Sequence, residues 1–167
     1  INSLNFYNSN LTLDNLKQMS DEINSLKQLS TLNLIGNNFY EFNTSYLFGH
    51  GFSSSSSLRN LDLSNNKIEN ISITSFPNLV YLVLTNNKIK FINSESISNT
   101  ILNYLDLEIN ELKIIDLSKM VQIDYLNLGY NNLIKINDEI LRTNPNGTIS
   151  IIRLYYNSIK SVNLTSS

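Results

Sequence analysis

The stretch Leu58-Arg59-Asn60-Leu61-Asp62-Leu63-Ser64-Asn65-Asn66-Lys67-Ile68 decides the fold of this chain. It reads L-x-x-L-x-L-x-x-N-x-I, and the same pattern returns from Leu79 to Ile89. A pattern that recurs at a fixed period indicates a protein built from stacked units, because one short unit cannot bury its apolar side alone.

Seven units can be placed along the chain, and positions are numbered from the first consensus residue of each. These first residues are Ile1, Leu29, Leu58, Leu79, Leu102, Ile123 and Ile149. We therefore expect a single domain over residues 1–167. The chain starts at position one of a unit and stops inside another, without a polar unit to cover either end of the core. The pattern thus predicts a segment of a longer repeat protein.

The x-L-x-L-x segment of each unit predicts a short strand. Alternate residues of a strand point to opposite faces, so the leucines turn inward and the residues between them face outward. Stacking the units joins these strands into one parallel sheet. Outward residues therefore lie at positions three, five and seven, and at position eight of the turn that follows.

Position nine is an asparagine in six of the seven units. Its side-chain amide has donors and an acceptor for the backbone groups that a tight turn leaves unpaired, so we expect a ladder of stacked asparagines. The first unit has a serine there and Phe6 in place of a leucine, which indicates a weaker edge unit. The ladder residues are Asn37, Asn66, Asn87, Asn110, Asn131 and Asn157.

The other side of the units varies more. Leu16, Met19, Ile23 and Leu26 have helical spacing, which predicts a helix capped by Thr12 or by residue 14. The shorter units leave room only for a 3₁₀ turn or an extended segment. Residues 138–141 could form one or two helical turns. The aromatic residues 46–52 and the serines that follow predict a surface loop, whose aromatic part either packs under the convex face or projects as a contact.

The repeats resemble those of the leucine-rich repeat (LRR) family, in both the L-x-x-L-x-L-x-x-N motif and the repeat length. The resemblance implies an α/β solenoid of about seven repeats, with a parallel sheet on the concave face and short helices, 3₁₀ turns or extended segments on the convex face. It also implies a scaffold that binds protein ligands on the concave face. The repeats are similar both to short intracellular regulatory repeats and to extracellular receptor-type repeats, and less similar to bacterial internalins.

Composition and motifs argue against several other functions. The net charge is −2 and cysteine is absent, so nucleic-acid binding, disulfides and thiolate metal sites receive no support. No apolar stretch approaches the roughly 18 residues of a membrane helix. His50 is the only histidine, and no phosphate-loop or zinc motif occurs. We predict no enzyme, no cofactor and no metal, although Asp62, Asp106 and Glu108 could form a site for a cation or a basic ligand on the sheet.

Tyrosines concentrate at the outward positions. Seven of the nine tyrosines fall at positions three, five, seven or eight, where random placement would give about one or two. Six of these seven belong to repeats four to seven, and Tyr81, Tyr104 and Tyr125 occupy position three of consecutive repeats. We expect these three rings to stack roughly 4.8 Å apart. Exposed tyrosine supplies large contact area at low entropic cost, whereas a purely structural role would stiffen the sheet.

The sequence therefore predicts a non-enzymatic module that binds a protein or peptide, mainly through repeats four to seven. The alternatives are recognition of a glycan or other non-protein ligand by an extracellular receptor, and a structural spacer in a larger protein. Neither nucleic acid nor direct membrane insertion is expected. The sequence fits an extracellular or a cytoplasmic location, with the former favoured if the chain is part of a receptor. The predicted ligand-binding residues are Tyr81, Val83, Tyr104, Asp106, Glu108, Tyr125, Asn127, Tyr130, Arg153, Tyr155 and Tyr156.

Overall fold

The computed structural model describes residues 1–44, 57–74, 76–97, 101–118, 120, 122–136 and 149–162. Two predictions lie outside the described residues. These are the aromatic loop at 46–52, which includes His50, and the helical turns at 138–141.

Among the described residues, thirteen short strands form four parallel sheets. The strands are β1 (Ser3–Asn5), β2 (Thr31–Asn33), β3 (Glu41–Asn43), β4 (Asn60–Asp62), β5 (Asn70–Ser72), β6 (Tyr81–Val83), β7 (Phe91–Ile92), β8 (Tyr104–Asp106), β9 (Ile114–Ile115), β10 (Tyr125–Asn127), β11 (Lys135–Ile136), β12 (Ile151–Arg153) and β13 (Ser161–Val162). The main sheet has the order β1-β2-β4-β6-β8-β10-β12, one strand from each repeat. The predicted parallel sheet is thus confirmed.

The core lies directly behind this sheet. Each of the five interior strands buries its central leucine completely or nearly so, whereas Leu4 and Ile152 in the edge strands are only partly buried. Burying a leucine side chain contributes roughly 1.5–3 kcal/mol. The alternation of inward and outward residues along each strand therefore accounts for the row of buried leucines that holds the repeats together. The buried central leucines are Leu32, Leu61, Leu82, Leu105 and Leu126.

The asparagine ladder is confirmed, and it also joins neighbouring repeats. In the Asn110 turn, Nδ2 donates to the carbonyl of Leu107 at 3.1 Å and to that of Leu84, in the preceding repeat, at 3.0 Å. Its Oδ1 accepts from the backbone N–H of Ile89 in the preceding repeat, at 3.0 Å. Asn66, Asn87 and Asn131 repeat the arrangement. Each buried amide therefore satisfies three backbone groups that the turn leaves unpaired.

The opposite side of the repeats is built as expected from short elements. Helices α1 (Leu13–Gln18) and α2 (Ser20–Ser25) follow the first repeat, and Thr12 caps α1 in a capping box with Asn15. Such a box satisfies two backbone N–H groups at the start of a helix. The later repeats have extended segments instead, which pair as β3-β5, β7-β9 and β11-β13. The predicted helix is thus present as two short helices that meet at Met19, and Thr12 rather than Asp14 caps the first of them.

Candidate functional site on the outer face of the sheet

The three tyrosines at position three form a ladder across β6, β8 and β10. Register places Tyr81 beside Tyr104 and Tyr104 beside Tyr125. The rings of Tyr104 and Tyr125 are parallel, with centroids 4.3 Å apart and an interplanar angle of 1°. Tyr81 is tilted by 36° to Tyr104 at 5.7 Å. The predicted stacking is thus present, and Tyr81 remains exposed at its open end.

Arg153 places a positive charge beside this ladder, and the Tyr104 hydroxyl within it has a raised pKa. The guanidinium carbon of Arg153 lies 5.3 Å from the centroid of the Tyr125 ring, within the range of a cation–π contact. Burial, and then a hydrogen bond with the Tyr125 side chain, raise the pKa of the Tyr104 hydroxyl. Ile151 occupies position three of the next strand and is exposed. The ladder thus ends in an apolar side chain beside a cation that is held over an aromatic ring.

Three further tyrosines form a second cluster at the end of the strands. Tyr130 and Tyr156 stack with ring centroids 4.4 Å apart and an interplanar angle of 13°. Tyr155 meets Tyr130 edge to face at 5.6 Å. Burial raises the pKa of the Tyr130 hydroxyl, with a smaller contribution from Tyr156. The cluster therefore combines stacked and edge-to-face contacts, the two geometries that aromatic pairs prefer.

Gly129 makes room for Tyr155. A Cβ atom at Gly129 would lie 2.5 Å from Cε2 of the Tyr155 ring, so only glycine leaves space for that ring. Across this glycine the Tyr155 hydroxyl donates to Oε1 of Glu108 at 2.7 Å. This hydrogen bond is the main cause that raises the pKa of the Tyr155 hydroxyl. A residue of repeat seven is thereby tied to a residue of repeat five.

Two of the predicted ligand-binding residues lie below the surface. Asn127 is 1% exposed and Asp106 is 8% exposed. The Asn127 amide donates to Oε2 of Glu108 at 3.0 Å and to Oδ2 of Asp106 at 3.3 Å. Their Oδ1 atoms accept the backbone N–H groups of Gly129 and Glu108. Asp106 and Asn127 are thus little exposed in this arrangement, and their hydrogen bonds hold Glu108 and the turn at Gly129.

Position eight has a left-handed backbone in all seven repeats, with φ between 49° and 68°. Glycine has no Cβ to clash there, and asparagine tolerates the conformation better than other residues do. The first four repeats follow this preference, and the last three do not. A bulky or β-branched residue in this region is strained by about 1–2 kcal/mol. The position-eight residues, termed here the turn row, are Asn8, Gly36, Asn65, Asn86, Ile109, Tyr130 and Tyr156.

The strained residues of the turn row are also exposed. Ile109 and Tyr130 are each 45% exposed, and Tyr156 is 72% exposed. The polar part of the row behaves differently, because the Asn86 amide donates to Oδ1 of Asn65 at 2.7 Å. Ile109 was missing from the predicted site. The sequence did contain a signal for it, because position eight is asparagine or glycine in the first four repeats and isoleucine or tyrosine in the last three.

The suggested acidic site is not assembled as a metal centre. Asp62 lies in β4, two strands away from Asp106 in β8, and its Oδ1 accepts from the backbone N–H of Ser64 at 2.9 Å. Within the described residues, no group of three His, Cys, Asp or Glu side chains could hold a metal ion. The alternative of a three-carboxylate cation site is therefore wrong. Nor does any helix among the described residues have the length and apolarity to cross a membrane.

Comparison with known proteins identifies the repeats. Residues 77–133, which span repeats four and five and the start of repeat six, match the family model described as leucine rich repeat. A comparison with curated proteins finds no match. The strand register and the asparagine bonds of the matched repeats continue in repeats two, three and seven. The matched segment is therefore similar to leucine-rich repeats, and the rest of the described chain follows the same repeat geometry.

Proposed function

We propose that this chain binds a protein or peptide ligand on the concave face of its solenoid, through repeats four to seven. Leucine-rich repeat proteins are in general interaction scaffolds without catalytic activity of their own. The observation that carries the proposal is the ladder of Tyr81, Tyr104 and Tyr125, whose rings lie in register across three strands. A large aromatic surface that faces solvent is the kind of area that protein ligands cover.

The exposed and half-buried members of the predicted site would make the contacts. Tyr81 and Val83 supply apolar area at one end, and Arg153 supplies a cation at the other. Glu108 and Tyr155 add a hydrogen-bonded acid and hydroxyl pair beside the ladder. Tyrosine is enriched in binding surfaces because two χ angles order a large ring, and its hydroxyl can bond to whatever arrives. The mixture favours a ligand with apolar and polar groups, which a polypeptide provides.

The test removes the ladder while the solenoid is kept. The variant Tyr81→Ala/Tyr104→Ala/Tyr125→Ala is compared with the wild type for capture of binding proteins from a tissue or culture extract. Binding should fall at least about tenfold, because aromatic residues dominate the binding energy of protein interfaces. Circular dichroism and thermal unfolding, measured on the same samples, report whether the fold survives.

The matched control is Ser3→Ala/Thr31→Ala/Asn60→Ala, which alters the same position in repeats one to three. It should retain capture. If capture survives in the tyrosine variant, the ladder is structural and the ligand binds elsewhere on the chain. If the wild type binds no protein but is retained on a glycan array, and loses that retention with the tyrosines, the ligand is a glycan instead.

A further inference from the structure

We infer that the turn row of repeats five to seven is a docking edge for a protein segment that presents an arginine side chain to Glu108. The inference rests on the proposed function and names the chemistry of the ligand at one part of the surface. It concerns Ile109, Tyr130 and Tyr156, together with Tyr155 and Glu108 beside them.

The three turn-row residues have large side chains at positions where the backbone disfavours them. Asparagine or glycine at the same positions of repeats one to four meets the left-handed conformation without a bulky Cβ branch or ring. Ile109 contributes nothing to the buried core and lies 45% exposed. For Ile109, strain that burial in the core does not offset points to use of the side chain at the surface. Packing against a partner would supply that use.

Charge indicates which partner fits. The Glu108 and Asp106 carboxylates both accept from one neutral amide, that of Asn127. Among the described residues, the one ion pair joins Lys90 and Glu69 elsewhere on the molecule. The two carboxylates thus have no cation within ion-pair distance in the described part of the chain. A ligand that brings a positive charge to this place complements it, and a ligand that brings an acid is repelled.

The free acceptor capacity of Glu108 matches a guanidinium. A carboxylate offers about four lone-pair sites, and each Glu108 oxygen receives one donor, from Tyr155 and from Asn127. The remaining sites can accept the paired N–H groups of an arginine, while its planar head lies against the neighbouring tyrosines. The same chain already places an arginine over a tyrosine ring, where Arg153 lies over Tyr125. A lysine would gain the charge attraction but would lack the stacking plane.

The experiment selects ligands from random peptides, so the natural partner need not be identified first. A phage library of random dodecapeptides is selected on the wild-type protein, and the binding of individual synthetic peptides is then measured by fluorescence polarisation. We expect the selected peptides to share an arginine. Replacing it with lysine should weaken binding severalfold, and replacing it with citrulline, which has the same shape without the charge, should weaken binding at least about tenfold.

Variants then locate the contact. Glu108→Gln should weaken the selected peptides about tenfold. Ile109→Asn and Tyr156→Asn should weaken them similarly, and Ile109→Asn should raise the melting temperature because it relieves strain. Loss of binding in a more stable variant cannot be attributed to unfolding. The matched control Asn65→Gly, at the same position in repeat three, should bind within about twofold of the wild type.

The outcomes separate this inference from the proposed function. If the peptides lose binding with the ladder variant Tyr81→Ala/Tyr104→Ala/Tyr125→Ala but not with Ile109→Asn, Tyr156→Asn or Glu108→Gln, the concave face binds and the docking edge does not exist. Selected peptides that are acidic or lack a common cation also overturn the inference. If no peptide binds the wild type above background, the proposed peptide binding and the inference both fail.

Discussion

The early and late repeats of this molecule share one backbone and differ in the side chains that stand on it. Strand register and the asparagine bonds are the same from repeat two to repeat seven. At position eight, however, Asn65 and Asn86 join through a 2.7 Å hydrogen bond, whereas Tyr130 and Tyr156 stack at 4.4 Å. Repeat four is mixed, with Tyr81 on the sheet face and an asparagine in the turn.

This difference separates the positions that maintain the fold from the positions whose side chains vary at the surface. The turn needs a left-handed residue in every repeat, and asparagine or glycine is the least costly solution. Repeats five, six and seven each depart from that solution at position eight, and all three side chains there are exposed. Shared positions therefore serve the fold, and the departures mark the part of the surface for which we propose a further role.

The largest expected effect comes from the feature that both halves share. Replacing Asn66 in the early half or Asn110 in the late half with leucine leaves three backbone groups without their partners. Each buried unsatisfied group costs roughly 1–3 kcal/mol, so the free energy of unfolding should fall by about 3 kcal/mol or more in either variant. Urea unfolding monitored by circular dichroism measures it. A loss confined to one half would contradict the view of a uniform scaffold.

A smaller effect follows from exchanging the turn residues. Asn86→Ile should lower the free energy of unfolding by about 1–2 kcal/mol, because it places a β-branched residue at φ 55° and removes the bond to Asn65. Ile109→Asn should raise it by about 1 kcal/mol for the opposite reason. Thermal and urea unfolding of the two single variants and of the double variant provide the measurement. Equal and opposite changes in the free energy of unfolding would support the comparison. A loss of stability in both single variants would refute the strain argument.

The smallest effect is a dependence on alkaline pH that arises in the late repeats. Burial raises the pKa of Tyr104 in the folded protein above its ordinary value, which is about 10 in an unfolded chain. The unfolded state then loses its proton first, so the stabilisation is complete below about pH 10 and is lost as the pH rises through the raised pKa. Tyr104→Phe should therefore reduce the loss of stability between about pH 8 and pH 10.5.

This measurement has a counterpart in the early repeats. Tyr7→Phe removes a hydroxyl from repeat one, outside both tyrosine clusters, and serves as the matched variant. Urea unfolding at both pH values, with ultraviolet titration of the tyrosines, gives the comparison. The interpretation fails if Tyr7→Phe and Tyr104→Phe change the pH dependence equally.

Much of the fold was predictable because it depends on periodic, local patterns. The alternation around Leu61 predicted a strand with a buried centre, and the recurrence of asparagine at position nine predicted the ladder. The stacking of Tyr104 on Tyr125 followed from their shared position in adjacent repeats. The candidate site was less predictable. The repeat position of Asn127 predicted that its side chain faces outward. It did not predict that neighbouring side chains cover it almost completely.

The sequence by itself thus determined the repeat, the inward leucines, the asparagine turns and the region in which tyrosines gather. These features require only residue spacing and the geometry of one strand and one turn. The tertiary structure alone decided that Tyr155 crosses Gly129 to reach Glu108, a residue 47 positions earlier in the chain. It also decided that the Asn127 amide bonds to the Glu108 and Asp106 carboxylates of the preceding repeat. Such facts depend on side chains from different repeats meeting in space, which no single repeat encodes.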